Sequence, residues 1–268
     1  MRAEFCLGII GAGQLGRAIA QGLLSSQFIA PEQLWISSRS LRPDNALSLA
    51  DSQKVHRTIR NQDLIEHCDM VIVAVPPHLS STLAINAADT DCLIISVMAG
   101  VTLAQLQQLS NSRRVVRAMS SPAAEKGLAY SPWFASEAIT DTDRLAVRRV
   151  FEAIGQTDEV FDEAQIDQFT ALIGPVPGFV AYYADCMVQY AVNNGIEAPI
   201  AERAVRQLFH ASGVLLAESE ASPKAHVDAM VDYNGTTAAG LKSMQASPLS
   251  ASINDGLKAA FDKAREIG

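Results

Sequence analysis

The chain has 268 residues, of which 49% are hydrophobic and 19% are charged, so it can bury a sizeable core in one large or two moderate domains. Its formal net charge of −8 argues against the basic surface that nucleic-acid binding requires. No apolar run reaches the roughly 18 residues of a membrane span and the first residues lack a secretory pattern, so we expect a cytoplasmic protein that binds neither membrane nor nucleic acid.

A glycine-rich turn follows the first predicted strand. Residues 11–16 read Gly-Ala-Gly-Gln-Leu-Gly, between the apolar stretch Phe5–Ile10 and a helical pattern over Arg17–Leu24. Glycines at this spacing permit a tight turn, close approach of a pyrophosphate and packing of helix on strand, while the helix N-terminus supplies free N–H groups. The alternative is a glycine turn that is only structural. The residues predicted to bind a dinucleotide here are Gly11, Ala12, Gly13, Gln14, Leu15 and Gly16.

The end of the second predicted strand favours NADP over NAD. The strand Leu34–Ser37 runs into Ser38 and Arg39, where a site for NAD usually carries a carboxylate that holds the ribose. Hydroxyl groups and a guanidinium suit a 2′-phosphate instead. We therefore assign Ser37, Ser38 and Arg39 to the cofactor, with Arg42 as a second candidate cation. The alternative is a solvated polar loop.

Five candidate strands alternate with helical patterns in the first half of the chain, which is typical of parallel βαβ units. They are Phe5–Ile10, Leu34–Ser37, Met70–Val75, Cys92–Val97 and Val115–Ala118. The predicted fold is α/β, with an N-terminal doubly wound Rossmann-type parallel sheet that forms an NADP-binding domain over residues 1–162. Loops at the carboxyl ends of such strands approach a bound dinucleotide. The cofactor contacts predicted here are Asn61, Val75, Pro76, Pro77, Ala99 and Gly100, although the proline pair has the alternative of simply ending a strand.

From about Ala164 the pattern changes to apolar residues at three- and four-residue spacing. The predicted helices are Gly178–Val192, Pro199–Glu218, Lys224–Met230, Thr236–Ala246 and Ser250–Ile267. We therefore predict an all-helical C-terminal domain over residues 163–268. Because so much apolar surface needs cover, we expect it to form a dimerisation domain, in a homodimer or a higher homo-oligomer built on dimers.

The segment 232–237, Asp-Tyr-Asn-Gly-Thr-Thr, precedes one of these helices. The free N–H groups at a helix start form an anion site, which would suit a carboxylate. The alternative is that the Asp and the Asn are ordinary helix caps. The four cysteines and five histidines are scattered without metal-ligand spacing, so we expect buried free thiols and no metal site.

The order of these motifs resembles the pyrroline-5-carboxylate reductase family from end to end. The glycine turn and the Ser-Arg pair match its cofactor signature, and Ala74–Pro77 stands where the family has Ala-Val-Lys-Pro. Residues 96–101, Ser-Val-Met-Ala-Gly-Val, resemble its Ser-Ile-Ala-Ala-Gly-Val, and Val116–Met119 matches closely. Residues 235–241, Gly-Thr-Thr-Ala-Ala-Gly-Leu, reproduce its Gly-Thr-Thr helix start.

The resemblance implies NADPH-dependent reduction of a cyclic imine, 1-pyrroline-5-carboxylate, to proline. In the family the substrate lies between the cofactor domain and a helical domain that interlocks with a second subunit. The resemblance implies that the helix start holds the substrate carboxylate and that the Thr237 hydroxyl, as the catalytic group, sits by the imine nitrogen. The substrate-binding residues expected on this ground are Asp232, Asn234, Gly235, Thr236 and Thr237.

Three segments depart from the family pattern. Ser120 and Ser121 replace Pro-Asn-Thr in a shortened loop, and Pro175–Gly178 lacks the family's serine hydroxyls. Asp232 stands where the family has a serine that helps to bind the carboxylate. Two alternatives therefore stay open, a reductase of this fold for another imine or carbonyl and a non-catalytic nucleotide-binding paralogue. Related hydroxyacid dehydrogenases would need a lysine in the helix 178–194, which contains none.

Overall fold

The computed structural model describes residues 5–39, 52–175 and 177–267. Its strands are β1 (Leu7–Ile10), β2 (Leu34–Ser37), β3 (His56–Thr58), β4 (Met70–Val73), β5 (Leu93–Ser96), β6 (Val115–Ala118), β7 (Ala129–Tyr130), β8 (Trp133–Ala135) and β9 (Gly155–Gln156). Its helices are α1 (Gln14–Ser25), α2 (Asn61–His67), α3 (Leu103–Ser110), α4 (Asp141–Glu152), α5 (Ala164–Ile173), α6 (Gly178–Asn193), α7 (Ala198–Glu218), α8 (Pro223–Tyr233), α9 (Thr236–Ala246) and α10 (Leu249–Ile267).

Among the described residues, seven strands form one sheet in the order β3-β2-β1-β4-β5-β6-β8. All neighbours are parallel except the last pair, in which β8 runs antiparallel to β6. The chain leaves β1 toward β2 on one side and returns to place β4 on the other, so the strand order reverses between β1 and β4. A crevice opens at this reversal, outside the carboxyl ends of the two strands.

The central strands are short apolar runs because helices cover both faces of the sheet. Every residue of β1, β4 and β5 is buried, as expected for strands of a parallel sheet packed on both sides. One core cluster gathers α1 and α4, with Ile19, Leu23 and Phe151 fully buried. The opposite cluster gathers α2 and α3, with Leu64 and Leu106 fully buried.

Contacts between residues divide the chain into two units, one of residues 1–174 with 259–268 and the other of residues 175–258. The second unit consists of the helices α6 to α9 and the start of α10. Within it, α6 packs on α7 and α8 packs on α9. The helix α6 has no buried residue in the single chain. Large apolar side chains stand exposed along these helices, among them Val180, Tyr182, Tyr190, Ile200, Leu208 and Leu215.

The α/β fold predicted from the sequence is confirmed, as is the helical C-terminal region. Several predicted boundaries were wrong. The first helix begins at Gln14 rather than Arg17, and α8 continues to Tyr233 rather than ending at Met230. Cys186 is exposed, whereas Cys68 and Cys92 are buried as expected. The boundary between residues 162 and 163 stays a prediction.

One stretch, residues 164–193, is long and apolar enough to cross a membrane by length and composition. It mixes polar with apolar residues and so did not stand out as a continuous apolar run. Length and composition alone do not distinguish a membrane span from the core helix of a soluble protein. The helices assigned within it, α5 and α6, have 10 and 16 residues, whereas a span takes about 20.

The start of α4 is fixed by one carboxylate. Asp143 accepts hydrogen bonds from the Thr140 backbone N–H at 3.0 Å and from the Thr140 hydroxyl at 2.9 Å. It also accepts from Arg114, just before β6, at 2.7 Å. Burial alone would raise the pKa of Asp143, but these hydrogen bonds outweigh burial, and its pKa lies below the ordinary value.

Asp143→Asn should lower the free energy of unfolding at pH 7 by about 1–2 kcal/mol, because the cap weakens and Arg114 loses its partner. A depressed folded-state pKa contributes stability above the ordinary pKa of about 4 and loses it as pH falls through the folded value. Urea unfolding from pH 7 to pH 3 should therefore show a shallower acid decline in the variant. Parallel declines in both proteins would contradict this account.

Candidate dinucleotide cleft and helix-start site

The glycine turn lies at the reversal of strand order. Gly11 has φ +107°, in the left-handed region that favours glycine. A Cβ on this residue would stand 2.6 Å from the carbonyl oxygen of Ala74, which follows β4. The Gly11 N–H donates to the Ser37 carbonyl at 3.0 Å. The turn is therefore locked between the ends of β2 and β4, with no room for a side chain.

The other two glycines differ from each other in surroundings. A Cβ on Gly16 would collide with the carbonyl oxygen of Gly11, so α1 can approach β1 only with glycine there. A Cβ on Gly13 would meet nothing within 4 Å, so the backbone is open on that side. Gly13 caps α1 without a side-chain hydrogen bond, and no acidic residue stands in the first turn. This helix start therefore presents its N–H groups and positive dipole end to an anion.

A cleft of about 440 Å³ opens beside this turn. Its volume falls within the range of small-molecule and cofactor sites. Nine residues assigned to the cofactor from the sequence line it: Gly11, Ala12, Gly13, Ser37, Ser38, Arg39, Asn61, Val75 and Pro76. The sequence reasoning missed five more lining residues: Ile10, Ala74, Leu79, Thr82 and Leu83. Of these, Leu79 and Thr82 belong to a short 3-10 helix that Pro77 begins, and no motif marked that helix.

Two polar side chains fix one wall of the cleft. Ser37 is fully buried, and its hydroxyl donates to Asn61 Oδ1 at 2.7 Å. Asn61 Nδ2 donates in turn to the Leu83 carbonyl at 2.6 Å. The Ser37 hydroxyl thus orients Asn61. Since its proton is already donated to Asn61, Ser37 is not available to donate a hydrogen bond to a phosphate in this arrangement. Ser38 and Arg39 remain at the end of β2 as the outward-facing polar groups of that segment.

Charge in the cleft is positive. Among the described lining residues, Arg39 carries the formal charge, and none is a carboxylate. Arg39 is exposed. Arg42, the second cation expected from the sequence, lies outside the described residues. Because no carboxylate stands beside Arg39 among the described lining residues, its guanidinium suits a phosphate better than a ribose hydroxyl.

Six predicted cofactor residues do not line this cleft. Gln14, Leu15 and Gly16 lie in the first turn of α1, and Gly16 is buried. Pro77 starts the 3-10 helix next to Pro76. Ala99 and Gly100 follow β5, where Ala99 packs against a separate apolar cluster that includes Met119 and Ile166.

The segment 232–237 folds differently from a simple helix cap. Asp232 is exposed in the last turn of α8, not before a helix. Asn234 ends α8 in the left-handed conformation at φ 55°, and its Oδ1 accepts from Lys242 Nζ at 3.2 Å. Reading these two residues as N-terminal caps was therefore wrong. Asn tolerates positive φ better than most residues, which is why it suits this position.

The helix α9 begins at Thr236, as predicted, and Gly235 is its N-cap residue with an extended backbone. Gly235 gives no side-chain cap, and no acidic residue stands in the first turn. Thr236 and Thr237 are exposed. A Cβ on Gly235 would lie 3.3 Å from ring atoms of Tyr233, so the ring packs over this turn. The free amides of a helix start thus lie beside two exposed hydroxyl-bearing residues.

The start of the loop that follows β6 is buried rather than exposed to solvent. Ser120 and Ser121 are both buried, and the Ser120 and Ser131 hydroxyl oxygens lie 2.9 Å apart. Of the segment 175–178, Val176 lies outside the described residues. Among the described residues no group of three or more His, Cys, Asp or Glu side chains could hold a metal ion.

The sequence reasoning missed an ionic cluster on the sheet. Arg117 is buried on β6 and pairs with Glu163 and Asp167, which begin the helical region. Arg117 was noted as part of a motif, but its partners lie 46 and 50 residues away along the chain. An arginine inside the apolar run Val115–Ala118 was the available signal, because a buried charge needs a partner.

Comparisons with known proteins agree with this architecture. Residues 163–267 match the family described as pyrroline-5-carboxylate reductase dimerisation. Residues 6–100 match the family described as NADP oxidoreductase, coenzyme F420-dependent. The chain is similar to the pyrroline-5-carboxylate reductase of Thermus thermophilus, with 29% identity over 263 residues and 98% of each chain covered.

Solved structures give the same result. The chain resembles 1-pyrroline-5-carboxylate reductase from Streptococcus pyogenes with a TM-score of 0.79 and 28% identity, covering 97% of this chain and 98% of that one. It shares the fold of Plasmodium falciparum pyrroline carboxylate reductase with NADP bound, at a TM-score of 0.84 and 24% identity, covering 99% and 98%. The chain therefore resembles the pyrroline-5-carboxylate reductases over nearly its whole length, as a divergent relative of them.

Proposed function

We propose that this protein reduces 1-pyrroline-5-carboxylate to proline with NADPH. The observation that carries the proposal is the start of α9, where the exposed Thr236 and Thr237 follow Gly235, which caps the helix without a side chain. Relatives of nearly equal length with which the chain was matched are pyrroline-5-carboxylate reductases. A helix start of this kind holds a carboxylate, and the substrate carries one.

The cleft beside β1 fits an NADP nucleotide. The backbone at Gly13 is open where a pyrophosphate would approach, and the first turn of α1 adds N–H groups without a competing carboxylate. Arg39 supplies a cation at the end of β2 for the 2′-phosphate. Ser38 is the neighbouring hydroxyl, while Ser37 and Asn61 shape the wall. When bound, NADPH supplies the hydride that reduces the imine carbon.

The chain itself orients the substrate and manages its charge. The amides at the start of α9 hold the carboxylate, which leaves the ring to be oriented by contacts near Thr236. The Thr237 hydroxyl donates a hydrogen bond to the imine nitrogen and lies on the path of the proton that this nitrogen gains. The carbon gains a hydride and the nitrogen gains a proton, so the product is a secondary amine. Orientation of the reacting carbon is the main contribution that the protein makes.

Asp232 is the feature that favours a second candidate, reduction of an imine without a carboxylate. Its exposed carboxylate stands in the last turn of α8, three residues before Gly235. Two like charges about 4 Å apart repel by about 1 kcal/mol in water and about 4 kcal/mol at an intermediate dielectric. A substrate carboxylate that close to Asp232 would therefore bind more weakly. The named relatives favour the carboxylated substrate.

We further infer a homodimer in the cytoplasm, with a small-molecule substrate and with no nucleic acid or membrane as partner. The inference of a dimer rests on the match of residues 163–267 to a dimerisation family and on the exposed apolar side chains of α6 and α7. Faces of this size are covered by another subunit in symmetric oligomers.

Arg39→Gln should raise the dissociation constant for NADPH by about 10- to 100-fold, because a charge-assisted contact to the 2′-phosphate is lost. NADH, which lacks that phosphate, should bind almost as before. Fluorescence titration with both nucleotides measures the two constants. Arg60→Gln removes an exposed arginine that pairs with Asp63 outside the cleft and is the matched control. Equal losses for both nucleotides would overturn the phosphate assignment.

Thr237→Ala should lower kcat by about 10- to 100-fold while leaving NADPH affinity unchanged, because one positioned hydrogen-bond donor is lost at the reacting centre. Thr237→Ser keeps the hydroxyl and should recover most of the turnover. Steady-state kinetics at saturating NADPH measure the effect. If Thr237→Ala and the native protein turn over at the same rate, Thr237 has no part in the mechanism.

Oxidation of NADPH at 340 nm with 1-pyrroline-5-carboxylate tests the function itself, with 1-pyrroline as the substrate that lacks the carboxylate. The native protein should prefer the carboxylated imine, and Asp232→Ser should raise kcat/KM for it by up to about tenfold if repulsion acts at the site. Turnover of 1-pyrroline alone would replace proline synthesis with the second candidate. Turnover of neither imine would contradict both.

A further inference from the structure

Arg117 is the most deeply buried cation among the described residues, with 2% of its side chain exposed. It stands on β6, the last parallel strand of the sheet. Its Nη1 donates to Glu163 Oε1 at 3.1 Å, and its Nη2 donates to Asp167. Its Nε has no hydrogen-bond partner among the described residues. Two carboxylates thus converge on one guanidinium beneath the start of α5.

Glu163 does more than neutralise Arg117. The same Oε1 accepts a hydrogen bond from the Leu103 backbone N–H at 2.7 Å. Leu103 is the first residue of α3, so its N–H is one of the amides that a helix cannot satisfy internally. A carboxylate at this end of a helix is also favoured by the helix dipole. One oxygen atom therefore joins β6, α3 and the segment that leads into α5.

The connection between β5 and α3, residues 97–102, is held by this contact at its far end. At its near end the Val97 N–H donates to the Val73 carbonyl at 3.0 Å, and the Met98 N–H donates to the Ser96 hydroxyl at 3.2 Å. Gly100 in the middle takes a left-handed φ of +74°. Ala99 packs on the apolar cluster below. The connection is thus held at both ends by hydrogen bonds, with one glycine in the left-handed conformation between them.

The sheet order says which part of a dinucleotide this connection meets. Arg39 lies at the end of β2, on one side of the reversal between β1 and β4, and β5 lies on the other side. A dinucleotide bound across the reversal has its adenosine half near β2. Its nicotinamide half then lies toward β5 and the connection 97–102.

We propose that Glu163, held by Arg117, is a positioning residue that fixes the connection 97–102 against the nicotinamide half of the dinucleotide. The inference rests on the proposed use of NADPH. A structural ion pair of this kind contributes little net stability and can often be replaced by apolar residues. This ion pair differs from an ordinary one because Glu163 also accepts a hydrogen bond from the Leu103 N–H. The Glu163 carboxylate must therefore reach the start of α3 and stay there.

The test compares two ligands that differ only in the nicotinamide end, NADP⁺ and 2′-phospho-ADP-ribose. Titration calorimetry gives both dissociation constants, and their ratio isolates the nicotinamide half. Glu163→Asp keeps the charge beside Arg117 but withdraws the carboxylate from Leu103. Glu163→Gln keeps the reach and an oxygen that accepts from Leu103.

We expect Glu163→Asp to weaken NADP⁺ about tenfold relative to the fragment and to lower kcat by about 10- to 100-fold, since small misplacement at a reacting centre has effects of this size. Glu163→Gln should keep the native ratio. Asp143→Asn, which breaks the ion pair at the amino end of the same strand, is the control and should lower only stability. If Glu163→Asp does not fold, Arg117→Lys is tested in its place. This variant should likewise raise the dissociation constant for NADP⁺ relative to that for the fragment.

An unchanged ratio in Glu163→Asp and Arg117→Lys, or equal weakening of both ligands, would overturn the proposal and leave the cluster a structural support. If the positioning role is overturned in this way, the proposed function still stands as long as the native protein binds the fragment and turns over the imine. Native protein that binds neither ligand would refute the proposed cofactor, and the positioning role with it.

Discussion

The structure depends on the close approach of backbone to backbone where β1 ends. Gly11 stands against the carbonyl of Ala74, and Gly16 stands against the carbonyl of Gly11, so strand, turn and helix meet without intervening side chains. This contact places the amino end of α1 at the reversal of strand order. The anion site, the cleft and the position of Arg39 at the end of β2 all follow from that placement.

The helical unit obeys a different constraint. Its helices carry apolar side chains on more faces than they cover in a single chain, and α6 buries no residue of its own. Such surface is costly to leave in water. We infer that a second subunit covers it, in agreement with the match of residues 163–267 to a dimerisation family.

Local patterns predicted a large part of this molecule. Short apolar runs bounded by polar residues or glycine predicted both ends of β2 and β6, and predicted β1, β4 and β5 to within two residues at each end. Strands buried in a parallel sheet are near-continuous apolar runs, so the sequence shows them clearly. The Gly-x-Gly-x-x-Gly turn predicted three residues that line the cleft, Gly11, Ala12 and Gly13, and the end of β2 predicted three more. Hydrogen bonds between residues far apart in the sequence were not predictable. Glu163 reaches Leu103 across 60 residues, and Ser37 reaches Asn61 across 24, and neither pair leaves a periodic trace. The alternative that Asn234 is an N-terminal cap was wrong, because a residue that ends one helix just before another begins fits the same local pattern as an N-terminal cap. Its expected part in substrate binding stays a prediction.

The central claim is transfer of a hydride from NADPH to the imine carbon of 1-pyrroline-5-carboxylate. It is tested most directly with NADPH that carries deuterium at the transferable position of the nicotinamide. The account predicts that the native protein releases proline with one deuterium on the carbon that was the imine carbon, detected by mass spectrometry and by the loss of one of the two proton signals of that carbon. Proline without deuterium, or oxidation of the nucleotide without proline, would contradict the account.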